Sequence, residues 1–171
     1  MGMDSKKLAA RQKQPGHDRT FEHSESEFAG HLREILDAKN YSVSEKPRDL
    51  GGLFIREGGK FYGVIPEVSV EHLVTHRKAF FEVKKQGLAG NADERACKHH
   101  TVQFYKTLRD HFGYDYHPFF TIFCEHLATH ERYTVKHKYF FETSQYFCWI
   151  DYDRTSLDTW IRALCKSHLD P

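Results

Sequence analysis

Apolar residues in this chain recur at helical spacing in some segments and at strand spacing in others. Between residues 24 and 40 they fall every three or four positions, which predicts an amphipathic helix, and Ser24 with Glu27 forms the capping-box pattern at its start. Alternating or continuous apolar runs predict extended segments at 41–45, 60–70, 78–84, 118–125 and 146–150. Helical spacing returns at 91–112 and 156–167.

This order of elements predicts an α/β fold with a central mixed β-sheet flanked by helices. The continuous apolar run from Pro118 to Glu125 is typical of a buried central strand. A chain of 171 residues can bury one sizeable core but has little room for a second domain. We therefore expect a single domain over residues 21–171, preceded by a flexible basic arm over residues 1–20.

Composition excludes several classes of protein. The four cysteines form no zinc-binding pattern, and the thirteen histidines are scattered. Without a signal peptide or a long apolar run, we expect a cytoplasmic protein of bacterial type that is not secreted and has no membrane contact. The net charge is only +1, but residues 72–109 carry eight Lys and Arg against three Asp and Glu. This basic segment could contact phosphates, or it could be an ordinary solvated face.

The candidate chemistry lies in two predicted strands. Glu67 is the second residue of the Pro66-Glu67 pair. Further along the chain, Glu82 and Lys84 are separated by one residue, so their side chains point to the same face of their strand. Carboxylate oxygens suit Mg²⁺, and the main-chain carbonyl of Val83 could supply a third ligand. Lys84 could position and deprotonate a water or hold an anionic substrate. The alternative is an ordinary surface ion pair of little energetic value.

The residues just beyond this strand point toward DNA. Asn91, Glu94, Arg95 and Lys98 fall on the first two turns of the helix predicted from residue 91. Arg suits an acceptor edge such as that of guanine, and Asn suits adenine. Asn91 and Glu94 could instead serve only as a helix cap, which would leave Arg95 and Lys98 unexplained.

Five short motifs together resemble those of a known enzyme family. They are Y-x-V-x-E-K-P-x-x-L at 41–50, G-V-x-P-E at 63–67, T-H-R at 75–77, E-V-K-K-Q at 82–86 and G-N-A-x-E-R-x-C-K at 90–98. The combination resembles type II restriction endonucleases of the PD-(D/E)xK superfamily, in the EcoRI/MunI-like branch. The likeness is good over residues 41–106 and looser in the flanks.

The resemblance implies a restriction-endonuclease-like core, a Mg²⁺-dependent homodimer and cleavage of palindromic double-stranded DNA that leaves 5′-phosphates. It implies that Glu67, Glu82 and Lys84 are catalytic, with Glu67, Glu82 and Val83 holding the metal. Asn91, Ala92, Glu94, Arg95 and Lys98 would contact DNA, and an AATT-containing site is expected. A methyltransferase acting on the same site would be a possible partner.

Two features depart from the family pattern. Pro66-Glu67 stands where the family has Pro-Asp, and the extra methylene must shift the metal site or its strand. Some relatives also use an acid from a helix, for which Glu27 and Glu34 are the candidates. The alternatives are therefore another nuclease of the same fold, such as a nicking repair enzyme or a resolvase, a DNA-binding module without activity, or a protein-interaction domain.

Overall fold

The computed structural model describes residues 18–170, except Glu57 and Leu88. The helices are α1 (Asp18–Ile35), α2 (Ala92–Ala96), α3 (Val102–Phe112), α4 (His126–Thr129), α5 (Glu131–Phe140) and α6 (Arg154–Leu164). The strands are β1 (Tyr41–Glu45), β2 (Phe54–Arg56), β3 (Lys60–Tyr62), β4 (Val68–His72), β5 (Lys78–Gln86), β6 (Phe119–Glu125) and β7 (Tyr146–Trp149). None of the helices in the described ranges is both long and apolar enough to cross a membrane.

Five strands form one mixed sheet in the order β1-β4-β5-β6-β7. The pairs β1·β4 and β4·β5 are antiparallel, whereas β5·β6 and β6·β7 are parallel. The short strands β2 and β3 form a separate hairpin. Strand β5 therefore lies in the middle of the sheet. Its neighbour β6, which the sequence predicted as a buried central strand, is buried from Phe119 to Cys124 and pairs with a strand on each side.

Helices cover both faces of this sheet because β5 carries apolar side chains on both faces. Phe81 packs on one face against Phe28 of α1, with ring centroids 5.3 Å apart, in a cluster that includes α6. Phe80 packs on the other face with Phe104 and Leu108 of α3. The α/β fold with helices flanking a mixed sheet is thus confirmed.

Several segments differ from the predicted elements. The expected strand over 60–70 is split, because the chain leaves β3 at Gly63 to pack on the loop before β2. A Cβ at Gly63 would lie 1.7 Å from the carbonyl oxygen of Leu50, and Val64 N–H donates to that same oxygen at 2.9 Å. Strand β2, which pairs with β3, and the helices α4 and α5 fall where the sequence predicted no strand or helix.

The expected helix over 91–112 is two helices separated by a 3₁₀ turn at Cys97–His99. Thr101 is extended and its hydroxyl accepts from Phe104 N–H at 3.2 Å, so it is the N-cap of α3. Helix α1 begins at Asp18 and ends at Ile35, which places Ser24 inside the helix rather than at its cap. Residues 1–17 of the expected arm lie outside the described residues.

Candidate active site

Glu67 is placed by main-chain hydrogen bonds on both sides. It lies one residue before β4, where its N–H donates to Phe81 O at 3.1 Å and its carbonyl accepts from Lys46 N–H at 2.8 Å. Pro66, which precedes it, is buried. These bonds hold Glu67 between the end of β1 and the middle of β5, and they direct its side chain toward the second half of β5.

Glu82 and Lys84 project from β5 toward the same side as Glu67. The Lys84 ammonium donates to Glu82 Oε1 at 2.7 Å and to Glu67 Oε1 at 3.1 Å. The main-chain N–H of Val83 donates to the other oxygen of Glu67. The side chains are mostly buried, with 11% of each carboxylate side chain and 19% of the lysine side chain exposed. The three predicted catalytic side chains therefore meet at one point.

Burial and charge change the proton affinities of this cluster. Burial, together with the nearby charge of Glu82, raises the pKa of Glu67 to about 8, although the Lys84 cation opposes this. Burial alone would lower the pKa of Lys84, but attraction to Glu67 and Glu82 outweighs it and the pKa is raised. Lys84 is consequently a cation at neutral pH.

The main chain of Val83 adds a further oxygen to this cluster. The β4–β5 ladder ends at the pair Val68 and Phe81, so β5 has no strand partner on that side at Val83. Because Val83 N–H points to Glu67, the Val83 carbonyl, which lies on the same edge of the strand, points toward that side too. The carbonyl therefore lies on the edge of β5 that faces Glu67.

These oxygens suit a hard divalent cation. Across residues 18–170, with Glu57 and Leu88 set aside, no group of three or more His, Cys, Asp or Glu side chains is arranged to hold a metal ion. Mg²⁺, however, is commonly held by one or two carboxylates and several waters. Two crowded carboxylates, one with a raised pKa, and a main-chain carbonyl fit that requirement.

Helix α1 contributes an acid that the sequence analysis missed. Glu25 lies close enough to Glu67 for its charge to help raise the Glu67 pKa, and its carboxylate pairs with Lys46 Nζ at 2.5 Å. Of the two acids considered from sequence, Glu34 pairs with Arg154 at 3.0 Å, and Glu27 is exposed. Helical spacing showed that Glu25 is on this helix, but only the packing of α1 on β5 shows which acid faces the site.

A pocket of about 210 Å³ joins this cluster to part of the predicted DNA-contact segment. Besides the cluster, its lining includes Lys85, Ala92, Arg95 and Lys98. Two expected DNA-contact residues do not line it. Asn91 is exposed beside it, and Glu94 pairs with Lys136 of α5 at 2.8 Å.

The expected capping box is wrong. Asn91 makes no side-chain hydrogen bond at the start of α2. Instead, Gln86 at the end of β5 accepts from Ala92 N–H at 2.6 Å. The side chain of Gln86 thus satisfies the Ala92 N–H, a donor at the helix start where the capping-box pattern predicted Asn91 as the acceptor. With only five residues, α2 is also too short to be the extended helix that the sequence predicted.

The fold has a counterpart among solved structures. The MunI restriction endonuclease, solved in complex with cognate DNA, is 23% identical to this chain and superposes with a TM-score of 0.66. The alignment covers 76% of this chain and 83% of that one. This chain has a restriction-endonuclease-like fold. No protein-family model matches the sequence, and no curated protein matches it.

Proposed function

We propose that this protein is a Mg²⁺-dependent DNA endonuclease of the type II restriction class, in the EcoRI/MunI-like branch of the PD-(D/E)xK nucleases. The observation that carries the proposal is the meeting of Glu67, Glu82 and Lys84 in one pocket with Arg95 and Lys98. Two acids suit a metal, and the cations beside them suit a phosphodiester. The fold, which is that of a solved DNA endonuclease, supports the assignment.

The chain's own groups have distinct tasks in this reaction. Glu67, Glu82 and the Val83 carbonyl would hold Mg²⁺, which when bound stabilises charge on the phosphate and lowers the pKa of a coordinated water. Attraction to Glu67 and Glu82 raises the pKa of Lys84, and as a cation this residue would donate to the phosphate or to the attacking water. Its bonds to both acids fix the ammonium within reach of the reacting atoms.

The DNA contacts follow from the lining of the pocket. Arg95 and Lys98 are exposed beside the acids, where they would meet the backbone and base edges next to the scissile bond. Asn91 lies exposed at the start of the same segment and would read a base edge. Glu94 would take part only if it leaves Lys136. The segment's likeness to the family supports an AATT-containing site.

Cleavage of both strands of a palindrome requires two such centres related by a two-fold axis, so we propose a homodimer as the active form. The products would carry 5′-phosphates. A methyltransferase for the same sequence would protect the host DNA.

One observation favours a second function, a DNA-binding module without nuclease activity. Both oxygens of Glu67 already accept hydrogen bonds from Val83 N–H and Lys84, so the carboxylate is satisfied without a metal. The Pro66-Glu67 departure from Pro-Asp points the same way.

Plasmid digestion separates the two functions. Purified protein is incubated with supercoiled and linear plasmid, with and without Mg²⁺, and the ends are sequenced. Discrete fragments with 5′-phosphate ends, formed only with Mg²⁺, are the expected result. Glu82→Ala should abolish cleavage and leave DNA binding intact, whereas Glu142→Ala, at an exposed acid outside the pocket, should cleave normally. Binding without any Mg²⁺-dependent cleavage would support the DNA-binding module instead. If a branched DNA substrate is cut and neither plasmid form is, the protein is a resolvase.

A further inference from the structure

Gln86 connects the strand that carries the acids to the segment that carries Arg95. It is the last residue of β5 and shares the face of Glu82 and Lys84, since alternate residues of a strand point the same way. Its side chain is buried, with 8% of the residue exposed. The carboxamide oxygen accepts from Ala92 N–H at 2.6 Å, and the carboxamide nitrogen donates to the Tyr133 hydroxyl at 2.8 Å.

The loop between β5 and α2 is shaped around this carboxamide. Gly90 has a φ of +142°, a backbone conformation that L side chains rarely adopt. A Cβ at Gly90 would lie 2.6 Å from both the carboxamide carbon and oxygen of Gln86. A glycine is required here because the chain passes directly over the Gln86 side chain, and this close passage brings Ala92 N–H to the carboxamide.

Helix α5 also contacts this segment. Tyr133 holds the Gln86 nitrogen, and one turn later Lys136 reaches Glu94 at 2.8 Å and the fully buried Asp93 at 3.4 Å. Of these residues, Gln86 is the one that belongs to the catalytic strand and also bonds to both α2 and α5. A displacement of α2 relative to β5 therefore has to break a Gln86 hydrogen bond.

We propose that Gln86 is a positioning residue that couples DNA recognition to cleavage. It holds the start of α2 at a fixed distance from Lys84, so that Arg95 reaches its base only when the scissile phosphate lies at the acids. This inference rests on the proposed nuclease function. It goes beyond that function by assigning the coupling to one carboxamide that touches neither the metal nor the DNA.

Two substitutions separate the hydrogen bonds from simple packing. Gln86→Met keeps the length of the side chain and removes both hydrogen bonds. Gln86→Glu keeps an acceptor for Ala92 N–H and offers its second oxygen to the Tyr133 hydroxyl, which can rotate to donate. Gln103→Met, at an exposed glutamine on α3, is the matched control for the loss of an amide.

The first measurement is hydrogen exchange over residues 89–96 in the protein without DNA, which needs no catalysis. Loss of one hydrogen bond at Ala92 should lower protection there about tenfold in Gln86→Met. Gln86→Glu and Gln103→Met should exchange like the wild type. Unchanged protection in Gln86→Met would overturn the proposed anchoring of α2.

The second measurement is cleavage of plasmid DNA at the preferred site and at secondary sites. Gln86→Met should lower kcat at least tenfold and leave KM within about twofold of the wild-type value. It should also bring the cleavage rates at preferred and secondary sites closer together. Gln86→Glu should restore the wild-type kcat and the wild-type preference. A wild-type protein that cuts no DNA would refute the proposed function and the coupling with it. An active wild type whose kcat and site preference are matched by Gln86→Met would overturn the coupling alone.

Discussion

Acid should unfold this protein through three histidines packed behind the α2–α3 connection. His99 stacks on Phe119 with ring centroids 4.3 Å apart, and its carbonyl accepts from His117 Nε2 at 2.8 Å if that nitrogen carries the proton. His100 Nε2 lies 2.8 Å from the Thr121 hydroxyl. Burial lowers the pKa of His99 and of His100 to about 3 and that of His117 to about 4.

The sign and size of the effect follow from linkage. The unfolded chain protonates these rings below pH 6.5, whereas the folded protein keeps them neutral until the pH approaches their lowered pKa values. Their contribution to stability is therefore complete above pH 6.5 and is lost as the pH falls. At pH 5, which is 1.5 units below the unfolded value, each ring costs about 2 kcal/mol, so the three cost about 6 kcal/mol. That is comparable to the whole unfolding free energy of a typical domain.

Urea unfolding at pH 7, 6 and 5, followed by tryptophan fluorescence, measures this loss. His117→Gln keeps a donor for the His99 carbonyl but removes one titrating ring. Between pH 7 and pH 5 the variant should therefore lose about 2 kcal/mol less than the wild type. His111→Gln, at an exposed histidine on α3, should show the wild-type dependence. Equal losses in His117→Gln and wild type would refute the idea that His117 stays neutral in the fold.

Four further predictions concern the candidate active site. Lys84→Met should abolish Mg²⁺-dependent cleavage and lower the unfolding free energy by about 3 kcal/mol at pH 9, because two buried carboxylates lose their cation; equal stability in urea would contradict this. Arg95→Ala should lose specific plasmid cleavage, whereas Arg154→Ala, whose side chain pairs with Glu34, should keep it. Glu67→Asp should cut more slowly in single-turnover assays, and a rate at or above wild type would show that the longer acid is not needed. DNA affinity should fall about 10³-fold or more from 50 to 200 mM salt in binding titrations, and a flat response would exclude a phosphate-rich interface.

The part of the site carried by β5 could be predicted from sequence because it depends on one strand. Alternation alone placed Glu82 and Lys84 on one face, and the burial of Phe81 and Val83 on the other face confirms that assignment. The same pattern could not show that β4 begins only at Val68, where the antiparallel ladder with β5 ends. Before β4, Gly63 packs closely against the main chain of Leu50, a contact between two segments that no local pattern encodes.

The segment after β5 shows the opposite case. Asn91 and Glu94 have the spacing of a capping box. Asn91 does occupy the N-cap position, but its side chain makes no cap hydrogen bond. The Gln86 side chain accepts a hydrogen bond from Ala92 N–H, and Lys136 donates one to the Glu94 carboxylate. Both partners are brought in by tertiary packing, which is stronger than the small preference that sequence spacing expresses. Glu25 was missed for the same reason, since nothing in α1 itself distinguishes it from Glu27.

The length of the Glu67 side chain has a geometric explanation in this fold. The residue lies outside β4, and its main chain is bonded opposite Phe81, while its carboxylate must reach Val83 N–H two residues further along β5. One more methylene extends the side chain by about 1.5 Å, which lets the two oxygens contact Val83 N–H and Lys84 together. An aspartate on this backbone would fall short of one of them. The longer acid therefore links the edge of β5 at Val83 to Lys84, and it keeps a carboxylate beside Glu82 where the proposed metal needs it.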